Sequence, residues 1–193
     1  MTRTDVINGI IEARHYTAYV EIGVRNPQDN YDNIRCEHKE GVDVAASSAA
    51  NLFVGTSDEW FAQEDYENKR DCYFIDGDHS EEQVRKDVRN ALRHLAHGGT
   101  IIMHDCYPQT EEATAAVKPD NGYAWNGRAY RVFIEARRRK DLQTYCIDCD
   151  HGLGIMRRGR SPGADIPEVY PWGTFATNAR TWLGLVAAED WRA

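Results

Sequence analysis

Apolar residues return along this chain with two periods, one helical and one strand-like. Val6, Ile7, Ile10 and Ile11 stand at helical spacing and predict a short opening helix over residues 5–15. Tyr19-Val20-Glu21-Ile22-Gly23-Val24 reads as a buried strand that ends at a glycine. Further strands are expected over residues 41–44, 52–55 and 72–75. Thr56 or Ser57 is placed to cap a helix over residues 58–68, with Trp60 and Phe61 on its apolar side. Ser80, with Gln83 three residues on, opens another helix as a capping box. Val84, Val88, Leu92 and Leu95 give that helix one apolar stripe, and Gly98-Gly99 is expected to stop it. Thr100-Ile101-Ile102-Met103 is the next strand and runs into His104-Asp105.

Residues 108–127 are polar and rich in turn formers, longer than a simple connector, and are expected to form a lid-like loop. Helix returns over residues 128–140, and strands over 142–147 and 152–156 follow as an antiparallel pair. Residues 161–193 are rich in proline, glycine and tryptophan, with a helix expected over 177–188. Trp172, Phe175, Trp182, Leu183 and Leu185 are too apolar for a free terminus. They are expected to pack on the domain or on a second subunit, which makes a homodimer one expected assembly. The 193 residues suit one domain.

Strands alternating with helices imply an α/β protein: a doubly wound, mostly parallel sheet of seven strands, closed by an antiparallel strand. Ligands of such sheets sit beyond the carboxyl ends of the strands. The unusual polar residues fall there: Glu21 and Gly23, Asp43, Asp76-Gly77-Asp78-His79, and His104-Asp105.

Composition narrows the function. A formal net charge of -8 disfavours a grip on nucleic acid phosphates. No apolar run is long enough to span a bilayer, and the first residues lack the apolar core of a secretory signal, so a cytoplasmic location is expected. The five cysteines, an odd number, do not make a complete disulfide set. Cys146-Ile147-Asp148-Cys149 lies in an alternating apolar run without a second ligand pair and reads as strand. Arg137-Arg138-Arg139-Lys140 reads as a solvated last helical turn.

A glycine after a buried strand lets a ligand approach the backbone, and Glu21 beside it offers an acceptor. Asp43 follows about twenty residues later, the spacing of a ribose-binding carboxylate. Neither G-x-G-x-x-G nor a Walker lysine is present. The order Glu21-Ile22-Gly23-Val24, Asp43, Phe74 to His79, the amphipathic helix and Ile101 to Asp105 resembles class I S-adenosylmethionine-dependent methyltransferases over residues 19–156. The resemblance implies a Rossmann-like methyltransferase fold, with S-adenosylmethionine held by Glu21, Gly23, Asp43, Ser57 and Asp76. One departure stands out: Arg25 to Asn30 replaces the later glycines of the first motif.

The pattern further resembles the metal-dependent O-methyltransferases of the catechol and macrocin types. That likeness implies Mg²⁺ or another divalent cation at Asp76, His104 and Asp105, with Asp78 in reserve. It also implies a catalytic base at His79, with His104 the next candidate, and a small-molecule acceptor methylated on oxygen, a sugar hydroxyl among the expected ones. His104 stands where those enzymes carry a carboxylate or an amide. The missing glycines keep open a non-catalytic nucleoside-binding module, while the absence of G-x-S-x-G removes the usual hydrolase.

Overall fold

A computed structural model describes residues 1–45, 48–120 and 124–193. Eight strands form one sheet, β1 (Ala18–Ile22), β2 (His38–Asp43), β3 (Leu52–Val54), β4 (Arg70–Ile75), β5 (Leu95–Met103), β6 (Leu142–Asp148), β7 (Leu153–Arg158) and β8 (Leu185–Ala187). Their order is β3-β2-β1-β4-β5-β7-β6-β8. The first five run parallel, β7 is antiparallel to both β5 and β6, and β8 adds one more strand parallel to β6 than the pattern predicted.

Strand alternation sends successive side chains to opposite faces, and each face has its own core. On β4, Tyr73 and Ile75 join one cluster while Cys72 and Phe74 join the other. Four helices cover the first face: α2 (Ser57–Gln63), α3 (Glu81–His94), α4 (Ala129–Arg138) and α5 (Trp172–Leu183). The second is covered by α1 (Arg3–Arg14) and by two 3₁₀ turns, Pro27–Asp29 and Tyr31–Asn33, in place of a crossover helix. Lys39 replaces the missing helix contacts there, its ammonium donating to the carbonyls of Tyr31 at 2.7 Å and Ile34 at 3.2 Å.

Three sequence expectations change. Gly98-Gly99 does not stop α3, which ends at His94; both glycines lie in β5, where the register against β4 jumps from Arg70↔Leu95 to Cys72↔Thr100. Gly98 takes φ +79° in that bulge. Ser80 caps α3, but the Gln83 amide turns away to Ser57 and Asp87, both at 3.1 Å. The basic run is a solvated turn only in its second half, where Arg139 and Lys140 are exposed. Arg137 donates to the Trp182 carbonyl at 2.9 Å and to the Thr144 carbonyl, so it ties α5 to β6.

The C-terminal segment packs α5 on the first face, and Trp191, beyond β8, packs on the second. Phe175 and Leu183 are fully buried, Tyr170 and Trp182 nearly so. The helix begins five residues before its expected start, at Trp172, and ends in a left-handed cap at Gly184. The cysteines are all free, with Cys146 buried in β6. Among the described residues no helix is long and apolar enough to cross a membrane.

Candidate active site

A cleft of about 1030 Å³ opens beyond the carboxyl ends of β1, β2, β4 and β5. Glu21, Gly23, Asp43, Ser57, Asp76, Asp78, His79, His104 and Asp105 all line it. That volume is ample for a nucleoside-sized ligand with a small second molecule beside it.

At the β1 end, Gly23 has φ +91°, and a Cβ there would lie 2.2 Å from the Asp76 carbonyl oxygen. Only glycine lets the exits of β1 and β4 come that close. Beyond it, Arg25 adopts a left-handed conformation at φ +47° and donates its backbone N–H to Asp43 at 2.7 Å. Asp43 also takes the N–H of Ala45 at 2.8 Å. The carboxylate therefore holds the turn that glycines would otherwise make easy, and each of its oxygens keeps acceptor capacity toward the cleft.

Glu21 is buried, accepting hydrogen bonds from the Tyr19 phenol at 2.6 Å and the Asn30 amide at 2.9 Å. Burial outweighs those donors and pushes its pKa up to about 8. Ser57 donates to the buried Asp87 at 2.6 Å, and burial raises the Asp87 pKa to about 6.

The centre of the cleft is a four-residue cluster. Asp76 Oδ1 and Asp105 Oδ2 each face two imidazoles. His104 Nδ1 lies 3.1 Å from the first and 3.0 Å from the second. His79 Nε2 lies 3.6 and 3.4 Å from the same two atoms. Asp76, His79 and Asp105 thus offer three donor atoms within 4.8 Å of one another, a set suited to a cation. His104 is 5% exposed, and its Nδ1 makes no hydrogen bond despite those short distances. Burial disfavours charge on Asp76, but His104, His79 and Arg3 together hold its pKa well below the usual carboxylate range. Burial likewise disfavours the His79 imidazolium, and Asp76 and Asp105 outweigh it, raising that pKa.

Several residues at this centre were not singled out by sequence. Arg3, in the first turn of α1, donates to Asp76 and forks onto Asp150 with two 2.9 Å bonds. Asp150 reaches His104 Nε2 at 3.3 Å. Trp125, from the predicted lid, stacks on His79 with ring centroids 4.7 Å apart, and Asn126 donates to Asp105 at 2.8 Å. The lid is pinned beneath as well: Arg128 N–H donates to the His79 carbonyl, and a Cβ on Gly127 would lie 2.4 Å from His79 Cβ.

Comparison with known proteins agrees with this picture. Residues 13–106 match the family model described as a methyltransferase domain. None of the curated proteins matches the sequence. Among solved structures, a putative caffeoyl-CoA O-methyltransferase from Staphylococcus aureus is 17% identical, with 81% of this chain and 82% of that one covered and a TM-score of 0.58. The O-methyltransferase TomG from Streptomyces achromogenes, in complex with SAM, is 13% identical over 81% and 79%, with a TM-score of 0.60. The MycE methyltransferase from the mycinamycin biosynthetic pathway, in complex with Mg, SAH and mycinamycin VI, is 15% identical over 83% of this chain and 50% of that one, with a TM-score of 0.51. At these identities the likeness is one of fold. The fold is one shared with these solved methyltransferases, and residues 13–106, a little under half of the chain, match a methyltransferase domain.

Proposed function

We propose that the protein transfers the methyl group of S-adenosylmethionine to a hydroxyl of a small, uncharged or cationic acceptor such as a sugar, with a divalent cation at the acceptor end of the cleft. The observation that carries this reading is the pair of oxygens, Asp76 Oδ1 and Asp105 Oδ2, each facing both His79 and His104.

The cleft fits both groups. Among the described residues that line it are eight aspartates, besides the protonated Glu21, and three side-chain cations, a field that favours a sulfonium, an ammonium and a metal ion over a polyanionic acceptor. Glu21 and Asp43 would hold the amino and ribose ends of the cofactor, Gly23 gives its backbone room, and Ser57 stands on the base side. The buried, unpartnered Nδ1 of His104 suits a cation held with Asp76 and Asp105. Its imidazole in the donor set favours a softer divalent ion than Mg²⁺ alone would require. When bound, the cofactor supplies an electrophilic methyl on sulfur, and the cation lowers the pKa of a coordinated hydroxyl.

The chain's own work is positioning and proton transfer. Arg3, Asn126 and the Trp125 stack fix the cluster from three sides, and Trp125 screens His79 from water. His79 Nε2, free to accept once a cation offsets the Asp76 and Asp105 charge that raises its pKa, would take the hydroxyl proton as the methyl group passes from sulfur to the acceptor oxygen. His79, with its side chain 19% exposed at the mouth, suits the base; His104, at 5%, suits a fixed ligand.

Isotope-labelled S-adenosylmethionine offered with Mn²⁺ or Mg²⁺ to two acceptor panels, neutral glycosides and coenzyme A thioesters, tests this. Label is expected in the glycosides. Turnover confined to the thioesters would overturn the acceptor class, and cofactor binding without turnover on any hydroxyl would favour a non-catalytic module.

A further inference from the structure

In His104 one ring nitrogen faces a carboxylate outside the cluster and the other, without a hydrogen-bond partner, faces the two carboxylates within it. Nε2 lies 3.3 Å from Asp150 Oδ1. A carboxylate oxygen at that contact accepts, so Nε2 carries a proton. Nδ1 is then left facing Asp76 and Asp105, buried and outside hydrogen-bond geometry to either. Two anionic oxygens 3.0–3.1 Å from Nδ1 call for positive charge between them, which either a proton on Nδ1 or a cation displacing that proton supplies. The ring is held there by edge contacts with Phe74, centroids 6.1 Å apart, and His151, 5.8 Å apart.

Asp150 is itself fixed at some conformational cost. Asp150 and His151 hold φ of +45° and +64°, and Gly152 follows at +88° in the β6–β7 turn. The turn is clamped to the end of β5 by two backbone bonds, Cys106 N–H to the Gly152 carbonyl at 3.0 Å and Tyr107 N–H to the His151 carbonyl at 2.9 Å. Arg3 grips both Asp150 oxygens, and its backbone N–H adds a third bond at 2.9 Å. Two non-glycine residues in the left-handed region together mark a turn whose shape is imposed by its partners.

We propose that Asp150, clamped by Arg3, is a positioning residue that orients His104 as a metal ligand, completing a carboxylate–histidine–cation relay from outside the residues 13–106 that carry the family pattern. This rests on the cation reading above. In such relays the outer carboxylate fixes the tautomer and raises the ligand's basicity, and its loss typically costs about 10- to 100-fold in metal affinity.

Co²⁺ binding to the full-length chain with S-adenosylhomocysteine present tests it, read by visible absorption and by the hyperfine-shifted, exchangeable Nε2–H resonance of the ligating ring. His104→Gln assigns that resonance. Asp150→Gly suits the positive φ, so the turn can keep its shape without the carboxylate. We expect Co²⁺ affinity to fall about 10- to 100-fold and the Nε2–H signal to vanish into solvent exchange. Asp150→Asn, whose amide oxygen accepts the same proton, should recover most of the affinity, and S-adenosylhomocysteine affinity should hold in both. Arg3→Met/Asp150→Gly separates positioning from a freed guanidinium crowding Asp76. The double variant should bind Co²⁺ as weakly as Asp150→Gly, and restored affinity would overturn the proposal. Wild-type affinity and an intact resonance in Asp150→Gly would overturn it while leaving the cation reading standing. No Co²⁺ or Mn²⁺ binding by the wild type would overturn both.

Discussion

The Tyr19 phenol donates a 2.6 Å hydrogen bond to Glu21 Oε2, two residues along the same strand and on the same buried face. The Asn30 amide adds a second at 2.9 Å, yet burial still raises the Glu21 pKa from 4.5 to about 8. The consequence for stability has a definite sign. Below pH 4.5 the carboxyl is protonated folded and unfolded, and costs nothing. From there to about pH 8 only the folded state keeps the proton, so stability falls as pH rises. The slope is about 1.4 kcal/mol per pH unit at most. Glu21→Gln should therefore match wild type near pH 4 and be more stable by a few kcal/mol at pH 8. Equal denaturant midpoints at both pH values would show that Glu21 titrates normally.

The same residue predicts a proton count for binding. A ligand ammonium at Glu21 favours the ionised carboxylate, so S-adenosylhomocysteine should release close to one proton at pH 7. Calorimetry in phosphate and in Tris measures this, because released protons add the buffer's ionisation heat. Identical heats in the two buffers would remove Glu21 from the amino-group site.

Asp43 has two duties, bracing Arg25 and Ala45 and facing the cleft. Asp43→Ala should weaken S-adenosylhomocysteine by at least about tenfold, since hydrogen bonds to a charged acceptor are worth ~1.5–3 kcal/mol each. Asp43→Asn keeps acceptor oxygens for only part of both tasks and should fall between. Wild-type affinity in Asp43→Ala would place the ribose elsewhere.

The C-terminal helix belongs to the core in energetic terms. Phe175 is fully buried, with ring centroids 4.7 Å from Tyr130 and 5.4 Å from Trp172. Phe175→Ala should cost about 3–5 kcal/mol in urea unfolding. A loss below ~1 kcal/mol, the range of surface changes, would mean that the segment packs only loosely.

Much of this site was legible because strand ends in a parallel sheet converge. Glu21, Asp76 and Asp105 each follow a buried apolar run, so one rule brings them together without knowledge of any contact. What stayed hidden is chemistry delivered from elsewhere. Arg3 sits in the first turn of a helix whose apolar spacing says nothing about where its polar side faces. Asp150 did carry a signal: β6 runs parallel to β5 through β7, so its exit also opens on the carboxyl edge. An Asp-Cys-Asp-His turn there is as placed for chemistry as His104-Asp105. The Gly98-Gly99 misreading has a similar root. Glycine stops helices and makes bulges for the same conformational reason, and only the register with β4 decides between them.

The roles of the two histidines separate under one set of measurements. Both imidazoles border Asp76 Oδ1 and Asp105 Oδ2, so proximity alone does not divide them. If His79 is the base, His79→Ala should keep Mn²⁺ and cofactor affinity and lose about 10²- to 10⁴-fold in kcat. Added imidazole should restore part of that rate, because the small pocket left under Trp125 admits the missing ring. His104→Ala and Asp105→Ala should lose Mn²⁺ binding, and turnover with it, while still binding S-adenosylhomocysteine through Glu21 and Asp43. A chelator should reproduce the Asp105→Ala behaviour in the wild type. Loss of Mn²⁺ affinity in His79→Ala would make His79 a ligand and move the base to solvent or His104. Turnover indifferent to chelator would leave the four-residue cluster as an acid–base device working without a cation.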